Sequence, residues 1–169
     1  SPLGPCARGS PGAPGTATDV SRGDHVHPAA SAFIGARGWD GGGGTTVATA
    51  AATNLSFDTM TFDDAAFATG GAPWTLLNIP TGKAGTYIVG AWIEWDASAL
   101  GTTRELTVDS QSGPIAKVWE PPSAAGLLAQ SAHGIMRLAA GDYVQIQAYH
   151  DAGVNRTVTL RGFWLGKVG

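Results

Sequence analysis

Cysteine is nearly absent: Cys6 is the single one in 169 residues. One thiol cannot close an intrachain disulfide or supply the thiolates of a zinc–cysteine site. Charge is scarce as well. Asp, Glu, Lys and Arg make up 14% of the chain, against roughly 25% in an ordinary soluble domain. The Lys and Arg residues are scattered and the net charge is −3, which argues against a phosphate-binding nucleic-acid surface. No apolar run approaches the roughly 18 residues of a membrane-spanning helix. The N-terminal SPLGPCARGS has no apolar stretch of the kind that a secretory signal carries. A capped helical period of useful length is missing too; SAAGLLAQSAHG (123–134) comes nearest and is weakened by Gly126 and Gly134.

What the chain has in quantity is glycine (25), proline (10) and apolar residues (43%), enough for a real core. So few charges on a soluble chain imply strands faced with Thr, Ser, Asn and Gln, or surface hidden in an oligomer. The first thirty residues differ from the rest. They carry Pro2, Pro5, Pro11, Pro14 and Pro28, and Gly9, Gly12 and Gly15 fall three apart in GSPGAPGTA. Three such triplets are too few for a collagen helix, which needs long repetition, so an extended linker is expected. The chain therefore divides into a Gly/Pro-rich segment at 1–30 and a head at 31–169. GWDGGGGTT (38–46) is expected to be a hinge or long turn, because four consecutive glycines hold no single conformation alone.

Beyond it the pattern is short strands with turn residues between them. In GTYIVGAWIEWD (85–96), Tyr87, Val89, Ala91, Ile93 and Trp95 face one way, and Ile88, Gly90, Trp92, Glu94 and Asp96 the other. DYVQIQAYH (142–150) sets Val144, Ile146 and Ala148 against Tyr143, Gln145, Gln147 and Tyr149. RELTVDS (104–110), PIAKVWE (114–120), HGIMRLA (133–139) and RTVTLRGFWLGKV (156–168) are further strands. Many short strands without helices predict an all-β sandwich or barrel.

Several side-chain groups invite a chemical reading. Asp58, Asp63 and Asp64 gather hard oxygen ligands in SFDTMTFDD; a turn between early strands explains them better than a Ca²⁺ site, which would need more ligands. No Ser or Cys sits in a strained Gly-x-Ser-x-Gly turn, and His133 and His150 fall on strands or their ends, so no catalysis is expected. Trp39, Trp74 and Trp119 border loops, where an indole either stacks on a sugar ring or shields the end of a core. Tyr143, Gln145, Gln147 and Tyr149 form a half-polar aromatic face that suits a subunit interface; the alternative is a solvated strand face.

Three stretches, NIPTGKAGTYIVGAWIEW, RLAAGDYVQIQAYHDAG and the closing VTLRGFWLGKVG, resemble the C1q-like head domain. FDTMTFDDAAF ahead of WTLLNIPTGKAGTYIV resembles that family's early strands. The resemblance covers roughly 31–169. It implies a jelly roll of about ten strands, related to the tumour-necrosis-factor fold, that associates as a homotrimer. Upstream, GTATDVSRGDHVHP is similar to a Ser-Arg-x-Asp-His-x-His-Pro segment recurrent in bacteriophage tail fibres, receptor-binding proteins and related virion proteins. Together these imply a virion surface protein whose trimeric head attaches to the host. Its partners would be a phage tail or capsid protein, reached through the N-terminal segment, and a host-surface glycan or protein. Two alternatives stand beside this reading: a structural or assembly protein of the virion with no receptor of its own, and a non-viral C1q-like carbohydrate-binding module.

In an extended segment His25 and His27 project to one side and Val26 to the other. One chain offers two imidazoles, too few for a tight site. Three chains on a threefold axis would offer six, an octahedral nitrogen shell that suits Fe or Ni better than Zn. Known phage fibre tips use His-x-His pairs in this way, and Asp24 would then orient an imidazole by accepting its N–H. The other reading is structural: Asp24 and Pro28 fix a turn, or the imidazoles stack at the axis without metal. Elemental analysis of the purified oligomer separates the two.

A fibre head places its receptor surface on loops. Those at 96–103, 120–126 and 150–156 are the candidates, with His150, Asp151, Asn155 and Arg156 bringing donors and acceptors together on the last. An ordinary hairpin turn at Asp151-Ala-Gly accounts for the same residues.

Overall fold

Short alternating segments separated by turn residues give eleven strands in the residues that the computed structural model describes, 33–40, 42–123 and 126–168. They are β1 (Gly35–Asp40), β2 (Thr45–Val47), β3 (Thr53–Asn54), β4 (Thr59–Asp63), β5 (Leu76–Asn78) and β6 (Gly85–Trp95). Then follow β7 (Arg104–Ser110), β8 (Gly113–Glu120), β9 (Leu128–Leu138), β10 (Tyr143–His150) and β11 (Arg156–Val168). No helix occurs among the described residues. All pairings are antiparallel.

Two sheets result. Sheet A runs β4-β1-β11-β6-β9, with β2 also paired to β11; sheet B runs β3-β10-β7-β8, with β5 also paired to β10. From β2 onward every connection crosses between the sheets except that of β7 to β8, which stay together in sheet B. This is the jelly-roll sandwich that the alternation and the resemblance both imply.

The inner faces make the core. Tyr87, Val89, Ala91, Ile93 and Trp95 of β6 are buried, as are Val144, Ile146 and Ala148 of β10 and Leu106 and Val108 of β7. Each fully buried Leu, Ile or Val contributes about 1.5–3 kcal/mol. Phe57 packs edge-on against Phe163 at 4.4 Å, and Phe67 against Tyr87 at 6.0 Å. These rings are part of the buried core between the sheets.

Two expectations change. The long glycine turn is narrower than the composition implies. Gly38, Trp39 and Asp40 belong to β1, because buried Arg161 holds Asp40 in an ion pair while also donating to the carbonyls of Ser56 and Gly43. The segment nearest to a helix is the first half of β9, paired residue by residue with β6 from Leu128↔Trp95 to Leu138↔Gly85.

Candidate functional site

The register brings the loops at 96–103, 120–126 and 150–156 to one end of the sandwich. Arg104 pairs with both His150 and Glu120, and Trp95 with both Leu128 and Val158. Two of these loops are tied together. Asp151 accepts the backbone N–H groups of Thr102 and Thr103 at 2.7 and 2.9 Å and the Thr102 hydroxyl at 2.5 Å. Led by the Thr102 hydroxyl, these bonds lower the Asp151 carboxyl to about 2. Arg156 pairs with Asp96 at 3.4 Å, and Leu100, Val154 and Asn155 are left at the surface.

Beneath the loops lies a buried polar cluster. Trp95 Nε1 donates to Gln130 Oε1 at 2.8 Å, and Gln130 Nε2 donates to the Arg104 carbonyl at 2.9 Å. The Arg104 guanidinium stands 5.5 Å from the Trp95 ring centroid and donates to the Leu100 carbonyl at 2.9 Å. Burial lowers the pKa of Arg104, and the nearby Arg156 charge adds to that shift. His150 packs edge-on to Trp95 at 5.7 Å. Its Nδ1 accepts the Ala152 N–H at 3.1 Å, which leaves Nε2 to donate to the Val47 carbonyl at 2.8 Å. His150 has no exposed surface. It therefore leaves the set of receptor-loop candidates: it anchors the loop base, whereas Asp151 and Asn155 lie on the loop itself and Arg156 opens β11.

Tyr143, Gln145, Gln147 and Tyr149 do share one face, the outer face of sheet B, and all four are half-buried. There the amides form a directional chain. Gln147 Nε2 donates to Asn54 Oδ1 at 3.0 Å, Asn54 Nδ2 to Gln145 Oε1 at 3.2 Å, and Gln145 Nε2 to Asp109 Oδ2 at 3.0 Å. In the next row Tyr149, Glu105 and Trp119 are direct cross-strand neighbours. Lys117 pairs with Glu105 at 2.9 Å, and Trp119 is 66% exposed.

The outer face of sheet A is of another kind. Trp39, Trp92, Trp164, Ile135 and Leu160 are all exposed on it. Two of the indoles lie on glycines of the neighbouring strand, Trp164 on Gly90 and Trp92 on Gly162. Polar groups stand among them, including Arg37, Thr59, Glu94, Ser131, His133 and Arg137.

Asp63 accepts the N–H groups of Phe67 and Ala68, and Asp58 accepts the Thr59 hydroxyl, so both are engaged in local turns. Among the described residues no cluster of three or more His, Cys, Asp or Glu is arranged to hold a metal. Asp24, His25 and His27 lie outside the described residues.

The fold has solved counterparts. The globular domain of zebrafish complement 1qA aligns over 80% of this chain and 96% of its own, with a TM-score of 0.57 and 15% identity. PRD1 vertex protein P5 aligns over 80% and 96%, with a TM-score of 0.59 and 15% identity. Murine APRIL aligns over 80% and 99%, with a TM-score of 0.57 and 10% identity. No family model matches the sequence, and no curated protein does. At these identities the likeness is one of fold.

Proposed function

We propose that this chain is the head of a phage surface protein that works as a homotrimer and attaches the virion to its host. The observation that carries the assembly is the outer face of sheet A. Three tryptophans and Ile135 stand exposed there on one sheet face with few charges. A contiguous apolar surface of this kind is kept from water by a partner, and closed assemblies of identical chains are the commonest arrangement. Its aromatic composition is that of an interface centre.

The sequence reading put the subunit contact on Tyr143, Gln145, Gln147 and Tyr149. Sheet A is the better choice, because its exposed indoles and Ile135 are apolar, whereas sheet B presents a polar, hydrogen-bonding face. Placement on a virion is supported by the fold likeness to a phage vertex protein and by the SRGDHVHP segment. With sheet A facing sister chains, sheet B and the loop end remain available to a receptor. The proposed role is binding, with no catalytic step.

Saturable adsorption of the labelled protein to cells of the strain that the particle infects is the expected result. Its absence would point to the purely structural virion role. A gene neighbourhood without tail, baseplate or capsid genes would point to the non-viral module.

A further inference from the structure

Sheet B presents an unusual outer face for a strand surface. Most of its groups are planar and hydrogen-bonding: two tyrosines, a tryptophan, four amides and two carboxylates, with Leu76, Thr107 and Lys117 beside them. A solvated face ordinarily mixes charges with small hydroxyl side chains. Here charge is nearly cancelled, since Lys117 neutralises Glu105 and only Asp109 is left over. Trp119 is 66% exposed on a strand, left largely uncovered by the described residues.

The amide chain is built in one direction. Gln147 donates to Asn54, Asn54 to Gln145, and Gln145 to Asp109. Each amide uses one N–H in this chain and keeps the second, and each carbonyl keeps a lone pair. The bonds fix the planes of the side chains before any ligand arrives, so little rotamer entropy remains to be lost. Such a row offers paired donors and acceptors to adjacent hydroxyl groups. Beside it, Trp119 and Tyr149 stand on either side of Glu105, two strand spacings or about 9–10 Å apart. The contacts of Glu105 with Lys117 and Thr107 both fall on Oε1, so Oε2 is left to accept from a hydroxyl. Two aromatic rings held that far apart each cover a separate sugar ring of one oligosaccharide.

The geometry points to the outer face of sheet B as a binding surface for a neutral, hexose-rich oligosaccharide. Trp119 and Tyr149 supply the stacking surfaces, and the row from Gln147 through Asn54 and Gln145 to Asp109 reads the hydroxyls. Neutral sugars fit because the uncompensated charge, on Asp109, is negative and repels sialylated, sulfated or phosphorylated chains. This deepens the attachment reading and rests on it for the source of the sugar.

The test uses the full chain on a panel of immobilised neutral hexose oligosaccharides, with sialylated and sulfated ones alongside. We expect retention on at least one neutral glycan. Trp119→Ala should weaken it at least tenfold with an unchanged melting curve, Trp119→Tyr should recover most of it, and Asn54→Ala should weaken it by interrupting the amide row. Retention on no neutral glycan, preference for the charged ones, or undiminished retention by Trp119→Ala overturns the proposal. Cell adsorption separates the two ideas. Wild type and Trp119→Ala adsorbing equally would sink the glycan site and leave attachment standing, whereas no saturable adsorption by wild type would sink attachment.

Discussion

Trp164 lies against Gly90, its direct partner across β6 and β11, so closely that a Cβ at Gly90 would stand 2.5 Å from the indole ring. Two residues along, the arrangement is reversed, with Trp92 against Gly162. Each glycine gives an indole room to lie down on the sheet, and the pair makes a broad apolar surface. Substituting Gly90→Ala forces the ring off its partner and should cost about 1–3 kcal/mol, as overpacking does. Urea unfolding at fixed protein concentration measures it. Adding Trp164→Ala should restore part of the loss, so that the two changes are clearly non-additive.

Gln130 is the hinge of the buried polar cluster. Gln130→Leu keeps the volume but takes the acceptor from Trp95 Nε1 and a donor from the Arg104 carbonyl inside the sandwich. Each such group costs about 1–3 kcal/mol, so a loss of about 2–4 kcal/mol is expected from equilibrium unfolding. An unfolding free energy left unchanged by Gln130→Leu would contradict the cluster's structural role.

Asp151 makes the link between two loops dependent on pH. Its carboxyl lies at about 2 in the folded chain, below the ordinary value of 3.8. A lowered carboxyl stabilises the fold above the unfolded-state value and loses that contribution as pH falls towards the folded value. Asp151→Ala should therefore melt below wild type at pH 6, and the gap should close between about pH 4 and pH 2. A gap that persists unchanged at pH 2 would contradict the assignment of the shift to the bonds from Thr102 and Thr103.

Much of this was legible in the residues. Period-two alternation marks β7 and β10 almost to their ends, because their inner positions are mostly apolar and their outer ones polar, and β6 is marked by its β-branched and aromatic residues. The inner parity of β10, Val144, Ile146 and Ala148, extends by one step to His150, which was the available signal that this side chain points into the core. The first half of β9 could not be read in the same way. Gln130 occupies an inner position only because Trp95 and Arg104 meet it there, and that partnership is tertiary.

The aromatic face of sheet A shows the same limit. Gly90-Ala91-Trp92 and Gly162-Phe163-Trp164 repeat one Gly-x-Trp pattern in two strands. Only the antiparallel register sets each indole opposite the other strand's glycine, and one sequence does not give a register.

Sedimentation or light-scattering mass of the full chain tests the proposed assembly through sheet A most directly. Wild type should have three times the 17.2 kDa chain mass. Ile135→Asp and Trp92→Glu, each placing a charge on the exposed face of sheet A, should fall to the mass of one chain while keeping the β spectrum. A wild type at single-chain mass, or both variants still at threefold mass, would contradict assembly through this face.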